Sequence, residues 1–132
     1  MNVTCPYCDR VAKLVTGHAI YPHRPDLFGK KFYLCSPCGA WVGCHPNGRG
    51  DKPLGRLANA ELRKAKQVAH AAFDPLWKSG MMSRASAYKR LAESMQISRD
   101  NCHIGMFDVE QCGAVVLAVQ LIKQSHGQDA AA

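Results

Sequence analysis

Apolar and polar positions divide the chain near residue 55 into a strand-like first part and a helical second part. The first part predicts three short strands, Val11–Thr16, Lys31–Leu34 and Ala40–Cys44, each with glycine or proline nearby. The predicted loop Gly17–Gly29 separates the first two strands. The predicted loop Pro46–Pro53 follows the third strand, and we expect it to be exposed and mobile. This pattern is typical of short antiparallel hairpins.

The second part repeats apolar residues at helical spacing. The predicted helices are Asn59–Phe73, Pro75–Lys78, Arg84–Met95 and Val109–Gln124. Their predicted N-terminal caps include Asp74, Ser83 and Asp108, the last forming a capping box with Gln111. The last helix is apolar almost all round, which predicts either a central core helix or a homodimer surface over residues 109–124.

Two CxxC pairs are the most informative motif of the sequence, and Asp9 and Gly39 follow them with turn-forming chemistry. Two cysteines three apart on a tight turn can direct both sulfurs at one ion, and two such turns complete a tetrahedron of thiolates. The sequence therefore predicts one structural Zn²⁺ per chain. Its predicted ligands are Cys5, Cys8, Cys35 and Cys38.

Other interpretations of the cysteines stay open at this point. An iron–sulfur cluster, a redox dithiol pair or buried free thiols would also account for CxxC pairs. A second metal ion is a further alternative, as is a set of buried cysteines and locally hydrogen-bonded histidines without metal. The second ion would be held by Cys44, His45, His23 or Cys102. The alternative without metal concerns Cys44, Cys102, Cys112, His45 and His103.

The elements and the cysteines together predict an α+β fold. An N-terminal zinc ribbon of short antiparallel β-hairpins is expected to pack on a C-terminal bundle of three to four helices. The predicted domain limits are residues 1–55 for the ribbon and 56–126 for the helical part, with a frayed tail at 127–132.

Several segments carry a resemblance to a known family. In chain order they are Cys5–Cys8, Ile20–Leu27, Cys35–Cys38, Val42–Pro46, Pro53–Arg63 and His103–Asp108. Over roughly residues 4–120 the chain resembles small zinc-finger-containing proteins of bacteria, prophages and phages, a family without an assigned function. The resemblance implies a zinc finger at the four cysteines of the CxxC pairs and no particular reaction. A phage or prophage origin would fit an accessory protein that acts on nucleic acid or on a host protein.

Composition sets the remaining limits. The 132 residues are too few for a barrel enzyme, and the 47% hydrophobic content argues against wholesale disorder. No apolar run approaches the ~20 residues that span a bilayer, and the first residues lack signal-peptide features. We therefore expect a cytoplasmic protein with no membrane partner, in the host cell if it is phage-encoded, where its seven cysteines stay reduced.

The net charge of +7 favours an anionic partner, of which nucleic acid is the commonest. Basic residues can neutralise phosphates, and neighbouring aromatic residues can stack on bases. The predicted phosphate contacts are Arg24, Lys30, Lys31, Arg49, Arg56, Arg63, Lys64 and Lys66. A solvated basic surface without a partner explains the same charge.

No catalytic constellation stands out, so the sequence predicts a protein that is not an enzyme. The first functional hypothesis is an accessory protein that binds DNA or RNA mainly through phosphates. The second is a phage-encoded interaction module that binds and inhibits a host protein. A third is a metal-dependent nuclease, whose site would combine His18, His23 and His45 with Asp26 or Asp51.

Overall fold

The computed structural model describes residues 2–131, and it describes the side chains of residues 2–126. The chain forms two compact units, Met1–Arg63 and Lys64–Ala132, called unit 1 and unit 2 below. The predicted α+β class is confirmed, because a three-stranded antiparallel sheet precedes a series of helices. The predicted domain limits at residues 55 and 126 stay predictions, and the frayed tail, 127–132, lies outside the described side chains.

Unit 1 is built on the strands β1 (Lys13–Thr16), β2 (Lys31–Cys35) and β3 (Ala40–Gly43) in the order β1-β2-β3. Both pairings are antiparallel, with Leu14 opposite Tyr33 and Cys35 opposite Ala40. The three predicted strands are thus confirmed, with ends that differ by at most two residues. Strand β2 begins at Lys31, directly after Lys30, and ends at Cys35. It therefore joins a basic position to one of the predicted metal ligands.

The predicted loop Gly17–Gly29 is not wholly irregular. It contains the short helix α1 (Gly17–Ile20) and a 3-10 turn at Pro25–Leu27. The sequence missed α1 because one helical turn that buries a single residue, Gly17, has no apolar period to reveal it. The backbone N–H of Gly17 donates to the Lys30 carbonyl at 2.9 Å, which closes this segment against the start of β2.

The core of unit 1 is small. It contains Tyr33, Val42 and Leu57 together with two alanines and the cysteines Cys5 and Cys35. The Tyr33 hydroxyl donates to the backbone carbonyl of Asp51 at 2.6 Å, which ties the 46–53 loop to β2. Because two of the few core residues are candidate metal ligands, this core depends on what those thiols bind.

The remaining helices are α2 (Ala60–Phe73), α3 (Pro75–Lys78), α4 (Arg84–Met95) and α5 (Val109–Ala131). They lie at the predicted places, except that α5 continues beyond its predicted end at Gln124. The Ser83 hydroxyl caps α4 by accepting from the Ser86 N–H at 3.0 Å. The capping box of α5 is also present, with reciprocal hydrogen bonds of 2.8 and 3.0 Å between Asp108 and Gln111.

The predicted cap at Asp74 is wrong. Its backbone is helical and its side chain accepts no capping hydrogen bond. The carboxylate instead lies 3.4 Å from His70 and 3.7 Å from Lys78, so it joins the helical turns before and after it. A residue with helical φ and ψ cannot take the extended conformation of an N-cap.

Unit 2 has its own apolar core, in which Phe73, Leu76, Leu91, Phe107 and Val115 are fully buried. Helix α5 contributes one face to this core. The same helix exposes Leu117 and Leu121, whose relative accessibilities are 64% and 59%. Among the described residues, no helix has the length and apolar character needed to cross a membrane.

Candidate metal centre and basic pocket

The first CxxC pair lies on a tight turn before β1. The Asp9 N–H donates to the Cys5 carbonyl at 2.9 Å, and the Cys5 N–H donates to the Arg10 carbonyl at 2.8 Å. Asp9 has a positive φ of 64°, a conformation that aspartate tolerates better than most residues. The chain therefore reverses directly after Cys8, and both sulfurs lie on the same side of the turn.

The second CxxC pair connects β2 to β3 in the same manner. Cys35 is the last residue of β2, and the Gly39 N–H donates to the Ser36 carbonyl at 3.2 Å. Gly39 has a φ of 60° and occupies the position equivalent to Asp9, one residue after the second cysteine. A left-handed residue is needed there because the chain must turn back at once into β3.

The two turns bring four cysteine sulfurs together. The Sγ atoms of Cys5, Cys8, Cys35 and Cys38 all lie within 4.8 Å of one another, and those of Cys8 and Cys35 are 3.5 Å apart. A tetrahedral zinc with Zn–S bonds of about 2.3 Å requires sulfurs separated by roughly 3.8 Å. The donor set and its spacing fit one structural Zn²⁺, and they leave no open ligand position.

The same proximity sets the ionisation of the thiols. A hydrogen bond from the Arg10 backbone lowers the pKa of Cys8. Hydrogen bonding with Cys8, followed by burial, raises the pKa of Cys38 to about 12. Cys8 and Cys38 therefore do not ionise together unaided, because each thiolate would meet the negative charge of the other. A divalent cation offsets this repulsion and draws all four into the thiolate form.

The family comparison agrees with this geometry. A family model described as a zinc-finger-containing domain, DUF3268, matches residues 1–124. The chain belongs to this family. The zinc finger that the sequence resemblance predicted is thereby confirmed. Comparison with curated proteins and with solved structures found no match.

Two polar contacts connect the zinc-finger turns of this family member to the start of α2. The Asn59 N–H donates to the Tyr7 hydroxyl at 3.1 Å, and Asn59 caps α2 by accepting from the Leu62 N–H at 3.0 Å. Arg63 donates to the carbonyls of Gly39 and Ala58 at 3.2 and 2.6 Å, and its guanidinium lies 4.5 Å from the Trp41 ring centroid. Arg63 thus stabilises the turn of the second CxxC pair, and nothing in the sequence indicates this role.

The eight predicted phosphate contacts do not all lie together in the structure. Arg24 forms a bidentate pair with Asp26, at 2.9 and 2.7 Å, whose hydrogen bonds lower the pKa of the Asp26 carboxyl. In unit 2, Lys66 donates to the Gly105 carbonyl at 2.7 Å, and Lys64 is exposed on α2. Arg56 is half-buried in unit 1. These residues do not form one basic cluster within either unit.

Three of the eight do come together, in what we call the basic pocket. Lys30, Lys31 and Arg49 line a pocket of about 440 Å³ in unit 1, and His45 also lines it. The Lys31 ammonium donates to the Arg49 backbone carbonyl at 3.1 Å, so the 46–53 loop is held against the start of β2. No aspartate or glutamate is among the described residues that line the pocket.

Among the residues whose side chains are described, no histidine joins a second group of three or more potential metal ligands. Within the part of the chain that is described, the cysteine cluster is the one group of three or more His, Cys, Asp or Glu side chains close enough to share an ion. His18 Nδ1 lies in hydrogen-bond contact with the Thr16 hydroxyl at 3.1 Å. Its ring stacks on Phe28, with ring centroids 3.7 Å apart. Burial raises the pKa of the Cys44 thiol, which lies outside the cluster.

Proposed function

We propose that this zinc-finger protein binds nucleic acid mainly through phosphates, and that the basic pocket is the centre of the contact. One observation carries the proposal: Lys30, Lys31 and Arg49 line a pocket of about 440 Å³ without an acidic side chain among its described lining. Three cations around one concave surface attract a polyanion and release its condensed counterions on binding. The overall charge of +7 adds to this attraction at long range.

The role that we propose for zinc is structural. A site filled by four thiolates leaves no coordination position for water or substrate, so it supports binding rather than catalysis. By ordering both turns, the metal fixes the end of β2, and β2 begins at Lys31. We place the protein in a reducing cytoplasm, because none of its seven cysteines is in a disulfide. Its assignment as an accessory protein of the phage or prophage type follows from the resemblance noted in the sequence.

The salt dependence of binding tests the proposal. We expect Lys30→Gln with Arg49→Gln to weaken binding to any sequence about tenfold or more at low salt, because two phosphate contacts are lost. A plot of log affinity against log salt concentration should lose about 1.5–2 units of slope. The measurement is a fluorescence-anisotropy titration of labelled DNA and RNA at several salt concentrations, with the zinc-loaded chain.

Lys89→Gln with Lys123→Gln is the matched control, because it removes the same charge from exposed residues of unit 2. If both double variants lose equal affinity, only the net charge matters and the pocket is not the contact. Arg63→Glu is not a suitable test, because it would also remove the hydrogen bonds to Gly39 and Ala58.

A protein partner is the second candidate, and the exposed leucines of α5 favour it. Leu117 and Leu121 line a shallow pocket of about 310 Å³ together with Met95 and Ala114. Exposed apolar residues grouped in this way often mark a protein interface. The occupant proposed from the sequence is a host protein that the chain inhibits, and a second copy of the chain is the alternative.

We expect Leu117→Ser with Leu121→Ser to abolish this association if α5 is the interface. The readout is a stoichiometric host protein that remains on the purified chain after nuclease treatment, with light scattering to detect a homodimer. Lys30→Gln with Arg49→Gln serves as the control and should leave the association unchanged. A partner that is released by nuclease, or that tolerates the serine variants, argues against this second function.

A further inference from the structure

We propose that unit 1 recognises single-stranded nucleic acid, by placing one unstacked base in an apolar pocket beside the basic pocket. This inference rests on the proposed function and extends it to the class of nucleic acid. It comes from a second cavity that the candidate site above does not include.

The second cavity, called the base pocket here, has a volume of about 260 Å³. Its apolar wall consists of Tyr21, Leu27, Phe32 and Leu54, with Gly43 of β3. Tyr21 and Phe32 contact each other edge-to-face, with ring centroids 5.9 Å apart, and both also pack edge-to-face on Trp41. The two lining rings are therefore held in place before any ligand arrives, which lowers the entropy cost of binding.

The base pocket adjoins the basic pocket. Both are lined by Lys30, Lys31, Cys44 and Leu54, so the two lysines stand between an aromatic cavity and the remaining cation, Arg49. A nucleotide has the matching chemistry, since it joins a flat aromatic base to an anionic phosphate. Apolar ligands without a phosphate would leave the cations unused, and a bare polyanion would leave the aromatic cavity unused.

A paired base cannot use such a cavity. In a duplex the base is stacked and hydrogen-bonded, and removing it from the stack costs a few kcal/mol. A base of a single strand is already available to stack on an aromatic side chain, and this contact is tolerant of sequence. The geometry therefore favours a single strand over a duplex of the same charge.

Gly43 keeps the base pocket open. A Cβ atom at this position would lie 3.4 Å from Leu54 Cδ1 and 3.6 Å from Phe32 Cε1, which is ordinary contact distance. A first carbon therefore fits, whereas the rest of a leucine side chain would extend into the cavity. Gly43→Leu is thus a variant that blocks the base and leaves Lys30, Lys31 and Arg49 in place.

The experiment compares three ligands of equal length at one salt concentration: a single strand, the same strand with abasic sites, and a duplex. The abasic strand keeps every phosphate and lacks the bases. We expect the wild-type, zinc-loaded chain to bind the base-bearing strand about tenfold more tightly than the abasic strand or the duplex. Gly43→Leu should remove this preference and bind the base-bearing strand as weakly as the abasic one.

Gly113→Leu is the matched control, since a side chain there enters open space. Leu54→Ser is a second variant for the base pocket, because Leu54 is exposed and its loss spares the core. Equal wild-type binding to the ordinary and abasic strands overturns the inference and leaves the phosphate-binding function standing. Absence of binding to all three ligands overturns both. The wild-type comparison needs no variant, so a misfolded Gly43→Leu does not prevent the test.

Discussion

Removal of zinc is expected to unfold the sheet of unit 1. Structural Zn²⁺ contributes about 10–16 kcal/mol of apparent binding free energy in zinc-finger peptides, whereas a core of this size contributes only about 3–5 kcal/mol. Cys5 and Cys35 are themselves core residues, so the loss of metal removes the ion that joins the two turns at the centre of the unit. The amide NMR signals of β2 and β3 should lose their dispersion when a strong chelator is added.

Cys38→Ser should have the same effect without a chelator. Removing a direct ligand should lower zinc affinity by more than the ~10–100-fold that follows loss of an outer hydrogen-bonding partner. Elemental analysis should find one zinc per wild-type chain and much less in the variant. Cys44→Ser is the control, because Cys44 belongs to unit 1 and lies outside the cluster. A Cys38→Ser chain with full zinc content and an intact sheet would contradict the proposed ligand set.

The metal centre could be predicted because its signal is local. Each CxxC pair places two cysteines three residues apart and is followed directly by a turn residue. A few adjacent positions therefore determine most of the geometry of a zinc-binding turn. The helices were predictable for a similar reason. Their apolar periods and the caps at Ser83 and Asp108 are short-range patterns, and the hydrogen bonds of the structure match them.

The grouping of the basic residues could not be predicted in this way. Arg49 lies 18 residues from Lys31, and only the pairing of β2 with β3 and the path of the 46–53 loop bring them together. Arg63 shows the opposite case, because its position among lysines suggested a phosphate contact, whereas the structure directs it to two carbonyls and the Trp41 ring. Sequence reveals charge, and tertiary contacts decide whether that charge already has a partner.

Gly17→Ala is expected to destabilise unit 1 strongly, although it adds a single methyl group. A Cβ atom at residue 17 would lie 1.8 Å from the Leu27 carbonyl oxygen and 2.5 Å from its carbonyl carbon. Both are backbone atoms, so no side-chain rotation relieves the overlap. The Gly17 N–H also donates to the Lys30 carbonyl at 2.9 Å. A backbone shift that relieves the overlap with Leu27 would break this hydrogen bond. We expect a loss of about 3 kcal/mol, the upper end of the usual cost of overpacking.

Urea unfolding at a fixed free zinc concentration measures this loss, because zinc binding and folding of the unit are linked. Trp41 fluorescence reports on unit 1 when Trp77 is replaced by phenylalanine. That replacement also removes an indole N–H that is buried and has no hydrogen-bond partner among the described residues. Gly29→Ala is the matched control: no atom lies within 4 Å of its Cβ position, so the free energy of unfolding should change by no more than about 0.5 kcal/mol. Equal stability of the two variants would mean that Gly17 and Leu27 are not in close contact. Because the segment between them carries Tyr21, that result would also remove the frame on which the base pocket depends.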